Sequence, residues 1–284
     1  MKYASFLSAD RTPTWGVVVD ETVFDLGPSG LGLAPDLRTA IADGLFGSVD
    51  EQHRGAPARP VGEVELLPVI PDPAKILCIG VNYRTHQQET GKGGGAAAPT
   101  VFTRFADTQV GAGQSAVMPA STTQFDYEGE LAVVIGTEAF HVSADDAWEH
   151  VAGYAAYNDF TARDWQRATS QWIPGKNFPG TGAFGPYLVP AADIDDVDAL
   201  ALETRVNGDV RQKASLADLD FSIPRLIEHV TGFTRLAPGD VIVTGTPGGV
   251  GLFMDPPGLL SEGDVVEVEI TGLGVLRNVV VRES

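Results

Sequence analysis

The chain has 284 residues, 43% of them hydrophobic and 20% charged, an ordinary globular composition that suffices for one large domain or a large and a small one. Its formal net charge of -19 argues against nucleic acid and anionic membranes as partners. The one cysteine, Cys78, excludes an intrachain disulfide, and its apolar neighbours predict a buried core residue. Because the start lacks a signal-peptide pattern and no apolar run is long enough to span a membrane, we expect a cytoplasmic protein.

The first part of the chain predicts a small N-terminal domain. Residues 2–26 have the composition of short strands, and a helix is predicted over 37–52. Five prolines then fall within residues 54–73, a density that breaks regular structure. We therefore predict a domain boundary near residue 70, with a small domain over 1–70 and a second domain over 71–284.

The second part is predicted to be mainly β. Apolar, β-branched runs predict strands over 131–135 and 153–160. Residues 206–209 contain the Asn-Gly pair that is typical of a tight hairpin. One amphipathic helix is predicted over 222–233, with Ser222 as its cap. The fold class expected from this pattern is α+β, mainly β.

Three carboxylates form the most informative group in the sequence. Glu128 and Glu130 are two residues apart at the start of a predicted strand, so their side chains share one face, and Asp159 is delivered by the next strand. Such carboxylates repel unless one stays protonated or a cation neutralises them. Oxygen ligands of this kind suit Mg²⁺ or Mn²⁺. A solvated strand face is the alternative interpretation of the same residues.

A second candidate pair lies at residues 86 and 89. If this segment is helical, His86 and Glu89 lie on one face, where the carboxylate fixes the imidazole tautomer and makes it a general base. The Gly/Ala-rich run over 91–98 is predicted to be mobile, as a linker or as the hinge of a lid.

Other chemistries find little support. The glycine-rich segment 244–251 does not match a dinucleotide fingerprint, Gly175-Lys176 lacks the rest of a phosphate loop, and no G-x-S-x-G motif is present. A single cysteine and scattered histidines disfavour zinc. An inverting glycosidase remains open for Glu128 and Glu130, since same-face residues on a strand lie roughly 7 Å apart, but it gives Asp159 and Lys176 no role.

Several motifs together resemble the fumarylacetoacetate hydrolase family, in the order in which the family has them and over residues 71–284. The residues that carry this resemblance are Asp126-Tyr127-Glu128-Gly129-Glu130-Leu131, Gly153-Tyr154, Asn158 to Gln166, Gly175-Lys176, Gly185-Pro186, Pro238-Gly239-Asp240 and Thr244 to Gly251. The resemblance extends to acylpyruvate hydrolases and 2-hydroxyhepta-2,4-diene-1,7-dioate isomerases. It implies a mixed β-sandwich roll and a homodimer. It also implies action on 2,4-dioxo acids and related keto acids, of the kind met in aromatic catabolism.

The resemblance also implies roles for individual residues. Glu128, Glu130 and Asp159 would hold Mg²⁺ or Mn²⁺, with Ca²⁺ as a substitute in crystals, and a lid would carry His86 and Glu89. Gln166 and Lys176 match the positions that stabilise an oxyanion. The residues expected to contact substrate are Arg163, Arg104, Tyr83 and Thr246. Two of these have alternatives: Arg163 could instead pair with a carboxylate of the protein, and Thr246 could serve turn architecture alone.

Departures from the family pattern leave the reaction open. Arg104 stands where many members carry Lys, Val81 where some carry Arg, and residues 177–182 lack a common Asp. The first interpretation is a metal-dependent hydrolase that cleaves a C–C bond of an acylpyruvate-like acid through an enolate. The alternative at the same site is an isomerase, tautomerase or decarboxylase of a keto acid. A non-enzymatic, metal-stabilised ligand-binding β-sandwich is the third.

Overall fold

The structure is a computed structural model that describes residues 1–48, 52–91 and 96–284. The strands in these ranges are, in chain order, β1 (Lys2–Leu7), β2 (Pro13–Val19), β3 (Thr22–Asp25), β4 (Ala58–Pro60), β5 (Glu65–Leu66), β6 (Ile76–Gly80), β7 (Thr100–Arg104), β8 (Gln109–Val110), β9 (Ser115–Met118), β10 (Phe125–Asp126), β11 (Gly129–Ile135), β12 (Val151–Asp159), β13 (Thr161–Ala162), β14 (Gly182–Pro190), β15 (Ala201–Val206), β16 (Asp209–Ser215), β17 (Val241–Val243), β18 (Val265–Ile270) and β19 (Gly274–Arg282). The α-helices are α1 (Leu37–Ala42), α2 (Arg84–Thr90), α3 (Arg163–Gln166), α4 (Ile173–Lys176) and α5 (Ile223–Thr231).

Two sheets dominate the described structure. The larger has the strand order β4-β3-β2-β1-β14-β12-β11-β17-β6-β7, with β5 added to β1 and β8 added to β14. The smaller has the order β16-β15-β18-β19-β9, and β10 pairs with β13 alone. Most neighbours are antiparallel, but β17 pairs with β6, β19 with β9 and β8 with β14 in parallel. The predicted fold class, α+β and mainly β with mixed sheets, is confirmed.

Beyond Glu130, the central strand β11 is apolar from Leu131 to Ile135, and both of its faces are buried. Leu131, Val133 and Ile135 pack into the core between the two sheets. The alternate residues Ala132 and Val134 pack into a second core on the other side of the large sheet. Side chains of a strand alternate between faces, so this strand has no solvent-facing positions to fill with polar residues. A site built at the end of β11 therefore stands on a rigid base.

The N-terminal strands continue the large sheet, since β1 pairs with both β2 and β14. Helix α1 is shorter than the predicted 37–52 and ends at Ala42. The chain turns away because Gly44 and Gly47 take φ values of 71° and 80°, where a glycine avoids the strain that a side chain would add. That helix prediction is wrong over residues 43–48, and its residues 49–51 lie outside the described ranges. The domain boundary near residue 70 stays a prediction.

Other local predictions are confirmed. The hairpin between β15 and β16 turns at Asn207 and Gly208, with φ values of 53° and 87°. Helix α5 starts directly after Ser222, although the Ser222 side chain makes no capping hydrogen bond. In the three described ranges, no helix has the length and apolarity that crossing a membrane requires.

Candidate metal centre and cavity

Strand register explains why three carboxylates meet. Gly129 pairs with Asn158, which places Glu128 opposite Asp159, and the Asp159 N–H donates to the Glu128 carbonyl oxygen at 2.9 Å. Glu130 lies two residues along from Glu128 and therefore on the same face. Carboxylate oxygens of these three residues lie within 4.8 Å of one another, and all three side chains are buried. The structure thus brings together the three carboxylates that the sequence predicts as metal ligands.

Three buried cations are hydrogen-bonded to this cluster, and one of them, Arg104, donates from Nη1 to Asp159 Oδ1. The Lys176 ammonium donates to Glu128 Oε2 at 2.6 Å and to Asp159 Oδ2 at 2.5 Å. Arg163 donates from Nη1 to Glu128 Oε1 at 2.5 Å and from Nε to Asp126 Oδ2 at 2.8 Å. Charge-assisted bonds of this length hold the carboxylates in one geometry.

The same contacts give the carboxylates different acidities. Burial alone would raise the pKa of Glu128, but Arg163 and Lys176 outweigh it and lower that pKa to about 2. Burial raises the pKa of Glu130 well above its usual range, and the neighbouring Asp159 and Glu128 carboxylates raise it further. Burial would lower the pKa of Lys176, but Asp159 and Glu128 raise it, so this side chain is an ammonium donor and not a base.

The charges of the cluster fit a divalent cation. Four buried carboxylates face three buried cations, namely Asp126, Glu128, Glu130 and Asp159 against Arg104, Arg163 and Lys176. Glu130 is the carboxylate that forms no ion pair with a described residue, and it accepts from the Gly245 N–H at 2.6 Å. An oxygen-only donor set with uncompensated negative charge is the chemistry that suits Mg²⁺ or Mn²⁺. The residues present therefore fit the predicted metal.

Helix α2 carries the predicted base beside this cluster. His86 Nδ1 and Glu89 Oε1 are 2.7 Å apart, and Glu89 Oε2 accepts from the Gly249 N–H at 2.9 Å. Thr85 Oγ1 accepts from the Gly248 N–H at 3.0 Å, so two bonds join the helix to the glycine-rich loop after β17. The carboxylate orients the ring through Nδ1, which leaves Nε2 as the nitrogen available to a ligand. Of the predicted hinge at 91–98, residues 92–95 lie outside the described ranges, and lid mobility stays a prediction.

A cavity of about 290 Å³ opens beside the carboxylates, and seven of the predicted residues line it. These seven are His86, Glu128, Glu130, Arg163, Gln166, Lys176 and Thr246. Arg163 has one buried nitrogen, Nη2, that finds no hydrogen-bond partner among the described residues. Gln166 accepts from Arg163 Nη1 at 3.1 Å through its carbonyl oxygen, so its amide N–H groups are the ones available to a ligand. The amide of Gln166 can therefore donate to an anion in the cavity.

Three predicted substrate contacts have other surroundings. The Thr246 hydroxyl donates to the Gly129 carbonyl and accepts from Gln212 Nε2, so only its backbone is left for substrate. Arg104 is fully buried, pairs with Asp159 and does not line the cavity, which gives it a place behind the carboxylates. Tyr83 is likewise buried and absent from the cavity wall, and its hydroxyl lacks a partner among the described residues.

Sequence reasoning missed two parts of the site. The first part is Asp126, which begins the Asp126–Leu131 motif but was given no role in the sequence analysis. Its carboxylate accepts hydrogen bonds from Arg163 and from the N–H groups of Gly251 and Leu252, and so links Arg163 to the loop beside the cavity. The second part is the outer wall of the cavity, which is apolar except for Arg167. Its apolar members are Ile79, Val81, Phe102, Trp172, Leu252 and Phe253. They come from four separate segments, and no spacing in the sequence relates these segments.

The fold and the site define a class of β-sandwich with a buried carboxylate cluster that could hold a metal ion, and residues 75–281 match the sequence model of the fumarylacetoacetate hydrolase C-terminal family. The chain belongs to this family. It is 44% identical over 221 residues to oxaloacetate tautomerase YisK of Bacillus subtilis (strain 168), covering 77% of this chain and 73% of that protein. It is 41% identical over 227 residues to the mitochondrial oxaloacetate tautomerase FAHD2A of Homo sapiens, and the match covers 79% of this chain and 72% of that protein.

Solved structures give the same family. The fumarylacetoacetate hydrolase of psychrophilic Exiguobacterium antarcticum matches with a TM-score of 0.87 and 36% identity over 100% of both chains. The maleylpyruvate hydrolase of Sphingobium sp. SYK-6, in complex with manganese(II) and pyruvate, matches with a TM-score of 0.84 and 28% identity over 100% of both chains. The family resemblance predicted from the sequence is confirmed.

Proposed function

We propose that the chain is a divalent-cation-dependent tautomerase that interconverts the keto and enol forms of oxaloacetate or a closely related 2-oxo dicarboxylic acid. This is the second of the sequence-based interpretations, and the two curated relatives described above support it over the hydrolase. The observation that carries the proposal is that one cavity is lined by Glu128 and Glu130 of the carboxylate cluster, by the oriented imidazole of His86 and by the Arg163 guanidinium group.

Binding rests on the cations of the chain. Arg163 lines the cavity, and its Nη2 is a buried donor with no partner among the described residues, so a substrate carboxylate that accepted from it would remove an unsatisfied polar group. Gln166 offers a second donor beside it. Glu128, Glu130 and Asp159 would hold the Mg²⁺ or Mn²⁺ ion, which supplies positive charge where negative charge develops on the 2-oxo oxygen.

Proton transfer is assigned to His86. The keto and enol forms differ in the position of one proton, so a group that accepts a proton at one atom and returns it at another completes the reaction without consuming water. Glu89 holds His86 Nδ1, which keeps the other ring nitrogen free for this transfer. Lys176 stays a cation beside Glu128 and Asp159 and can donate a hydrogen bond to the developing oxyanion.

Product identification tests the proposal. Wild-type enzyme with Mg²⁺ or Mn²⁺ is incubated with oxaloacetate and with a set of acylpyruvates, and all products are identified by NMR. The proposal expects faster keto–enol interconversion of oxaloacetate, with deuterium from solvent entering C3 and no loss of carbon. Accelerated release of CO₂ without accelerated interconversion would instead favour a decarboxylase.

A C–C hydrolase is the second candidate, and the His86–Glu89 pair is what favours it. An imidazole oriented by a carboxylate also suits activation of water, and a maleylpyruvate hydrolase is among the similar structures. Cleavage of an acylpyruvate in the same experiment would support this candidate.

Oligomer and location are further proposals. A homodimer is supported by three large apolar side chains on the surface near α3 and α4: Phe105, Trp165 and Ile173 are 52%, 40% and 36% exposed. Light scattering that returns the monomer mass at micromolar concentration would contradict it. The cytoplasmic location expected from the sequence stays a prediction.

A further inference from the structure

We propose that Arg167 selects dianionic substrates by binding the carboxylate at the far end of a 2-oxo acid. This inference rests on the proposed function and names the residue that reads the second acid group. Arg167 lines the same cavity as the carboxylate cluster, at its exposed end.

The position of Arg167 follows from the short helix α3. Its backbone N–H donates to the Arg163 carbonyl oxygen at 3.1 Å, which closes one helical turn. Residues four apart on a helix lie on one face, with Cβ atoms about 5–6 Å apart. Arg163 is 3% exposed beside the carboxylate cluster, whereas Arg167 is exposed at the rim. The two guanidinium groups therefore mark an inner and an outer position for anions along the cavity.

The charge of Arg167 is available to a ligand. Arg163 and Lys176, the other cations of the cavity wall, are ion-paired with carboxylates of the chain. Arg167 donates from Nη2 to the neutral Gln124 Oε1 at 2.9 Å, and no carboxylate in the described ranges forms an ion pair with it. The amide holds the guanidinium in place without neutralising it.

The rest of the outer wall gives a carboxylate no other cation. Phe102 and Trp172 pack edge to face with ring centroids 5.5 Å apart, and Leu252 and Phe253 close the other side. A ligand carboxylate that contacted this apolar surface without a hydrogen-bond donor would lose its hydration, which is unfavourable for the free energy of binding. A monoanionic acid of the same length would instead place a methyl group there. Arg167 can therefore separate two ligands that differ only in their distal group.

A matched pair of ligands tests this assignment. Calorimetry measures binding of 2-oxoglutarate and 2-oxopentanoate, which have the same carbon count and differ by one distal carboxylate, to the Mg²⁺-loaded enzyme. We expect wild type to bind the dianion more tightly. Arg167→Met should weaken dianion binding about tenfold and monoanion binding less than twofold, and Arg167→Lys should recover part of the loss. Arg225→Met, which removes an exposed arginine of α5, is the control and should change neither.

Equal affinity of wild type for the two ligands, or a parallel loss of both in Arg167→Met, would overturn the assignment. Thermal unfolding of each variant checks that the fold is kept. Because calorimetry does not depend on turnover, the result is independent of whether oxaloacetate is tautomerised. A failed tautomerase assay with a tenfold dianion effect would remove the proposed function and leave Arg167 as the residue that reads the distal acid group.

Discussion

Replacing Glu89 with Gln should disable His86 without removing it. The Glu89 carboxylate accepts hydrogen bonds from the Gly249 N–H at 2.9 Å and from the His86 Nδ1–H at 2.7 Å. The Gln side-chain amide has only one accepting end, its oxygen, and one donating end, its NH₂ group. If the amide oxygen keeps Gly249, the amide nitrogen faces His86 Nδ1, and the ring proton must move to Nε2. The nitrogen available to substrate then carries a proton and cannot accept one. The opposite orientation sets two N–H groups against each other at Gly249, which costs about 1–3 kcal/mol.

The expected loss follows from the role of the ring. A positioned general base contributes about 10²–10⁴ in rate, so Glu89→Gln should lower kcat for oxaloacetate tautomerisation by that factor and leave KM within about threefold. The assay follows the ultraviolet absorbance of the enol by stopped flow. Nitrogen NMR of labelled His86 reports the tautomer directly.

Thr85→Val is the matched control for this variant. It removes the other bond between α2 and the loop, from Gly248 N–H to Thr85 Oγ1 at 3.0 Å, and leaves the imidazole and its carboxylate intact. One such bond contributes about 0.5–1.5 kcal/mol, which limits the rate effect to about tenfold. If Glu89→Gln kept more than a tenth of the wild-type kcat, or Thr85→Val lost as much as it did, the tautomer argument would be refuted.

Three further predictions concern binding and stability. Arg163→Met should raise KM for oxaloacetate by about tenfold or more, because the buried Nη2 donor is lost, and unchanged initial-rate kinetics would count against the anchor. Gly80→Ala places a Cβ 2.2 Å from Trp172 Cζ3 and should lower the free energy of unfolding by about 1–3 kcal/mol in urea titrations. Adding Trp172→Phe removes the clashing ring atoms and should restore part of that free energy. No recovery in the double variant would contradict this account of the clash. Asn82→Ala removes three buried hydrogen bonds to Phe221 and Thr244 and should cost about 3 kcal/mol in the same titration, a loss below 1 kcal/mol being the contrary result.

The parts of the site that could be predicted depend on local spacing. Glu128 and Glu130 share a face because they are two apart at a strand end, and His86 meets Glu89 because they are three apart on α2. Asp159 was expected beside them because the next predicted strand carries it, but its position opposite Glu128 depends on the register of β11 with β12, which local spacing alone does not give. In the same way, the α+β class followed from the strand-rich pattern of the second part of the chain.

Contacts between distant segments could not be predicted. Arg104 was expected at the substrate, but the pairing of β6 with β7 carries it behind Asp159, a residue 55 positions away in the sequence. The predicted helix at 37–52 failed because Gly44 and Gly47 take left-handed conformations, which composition alone does not reveal. The apolar wall around Trp172 combines residues of β6 and β7 with residues of separate connecting segments, whose placement depends on the whole sandwich.

The most direct test of the account is the rate of oxaloacetate tautomerisation as the metal is removed and restored. Wild-type enzyme is assayed with Mn²⁺, then with excess chelator, then after Mn²⁺ is added back, and Asp159→Asn is carried through the same series. The account predicts that wild-type acceleration is lost with chelator and returns with Mn²⁺, while the variant stays near the uncatalysed rate throughout. Full acceleration by chelated wild-type enzyme, or by Asp159→Asn, would contradict it.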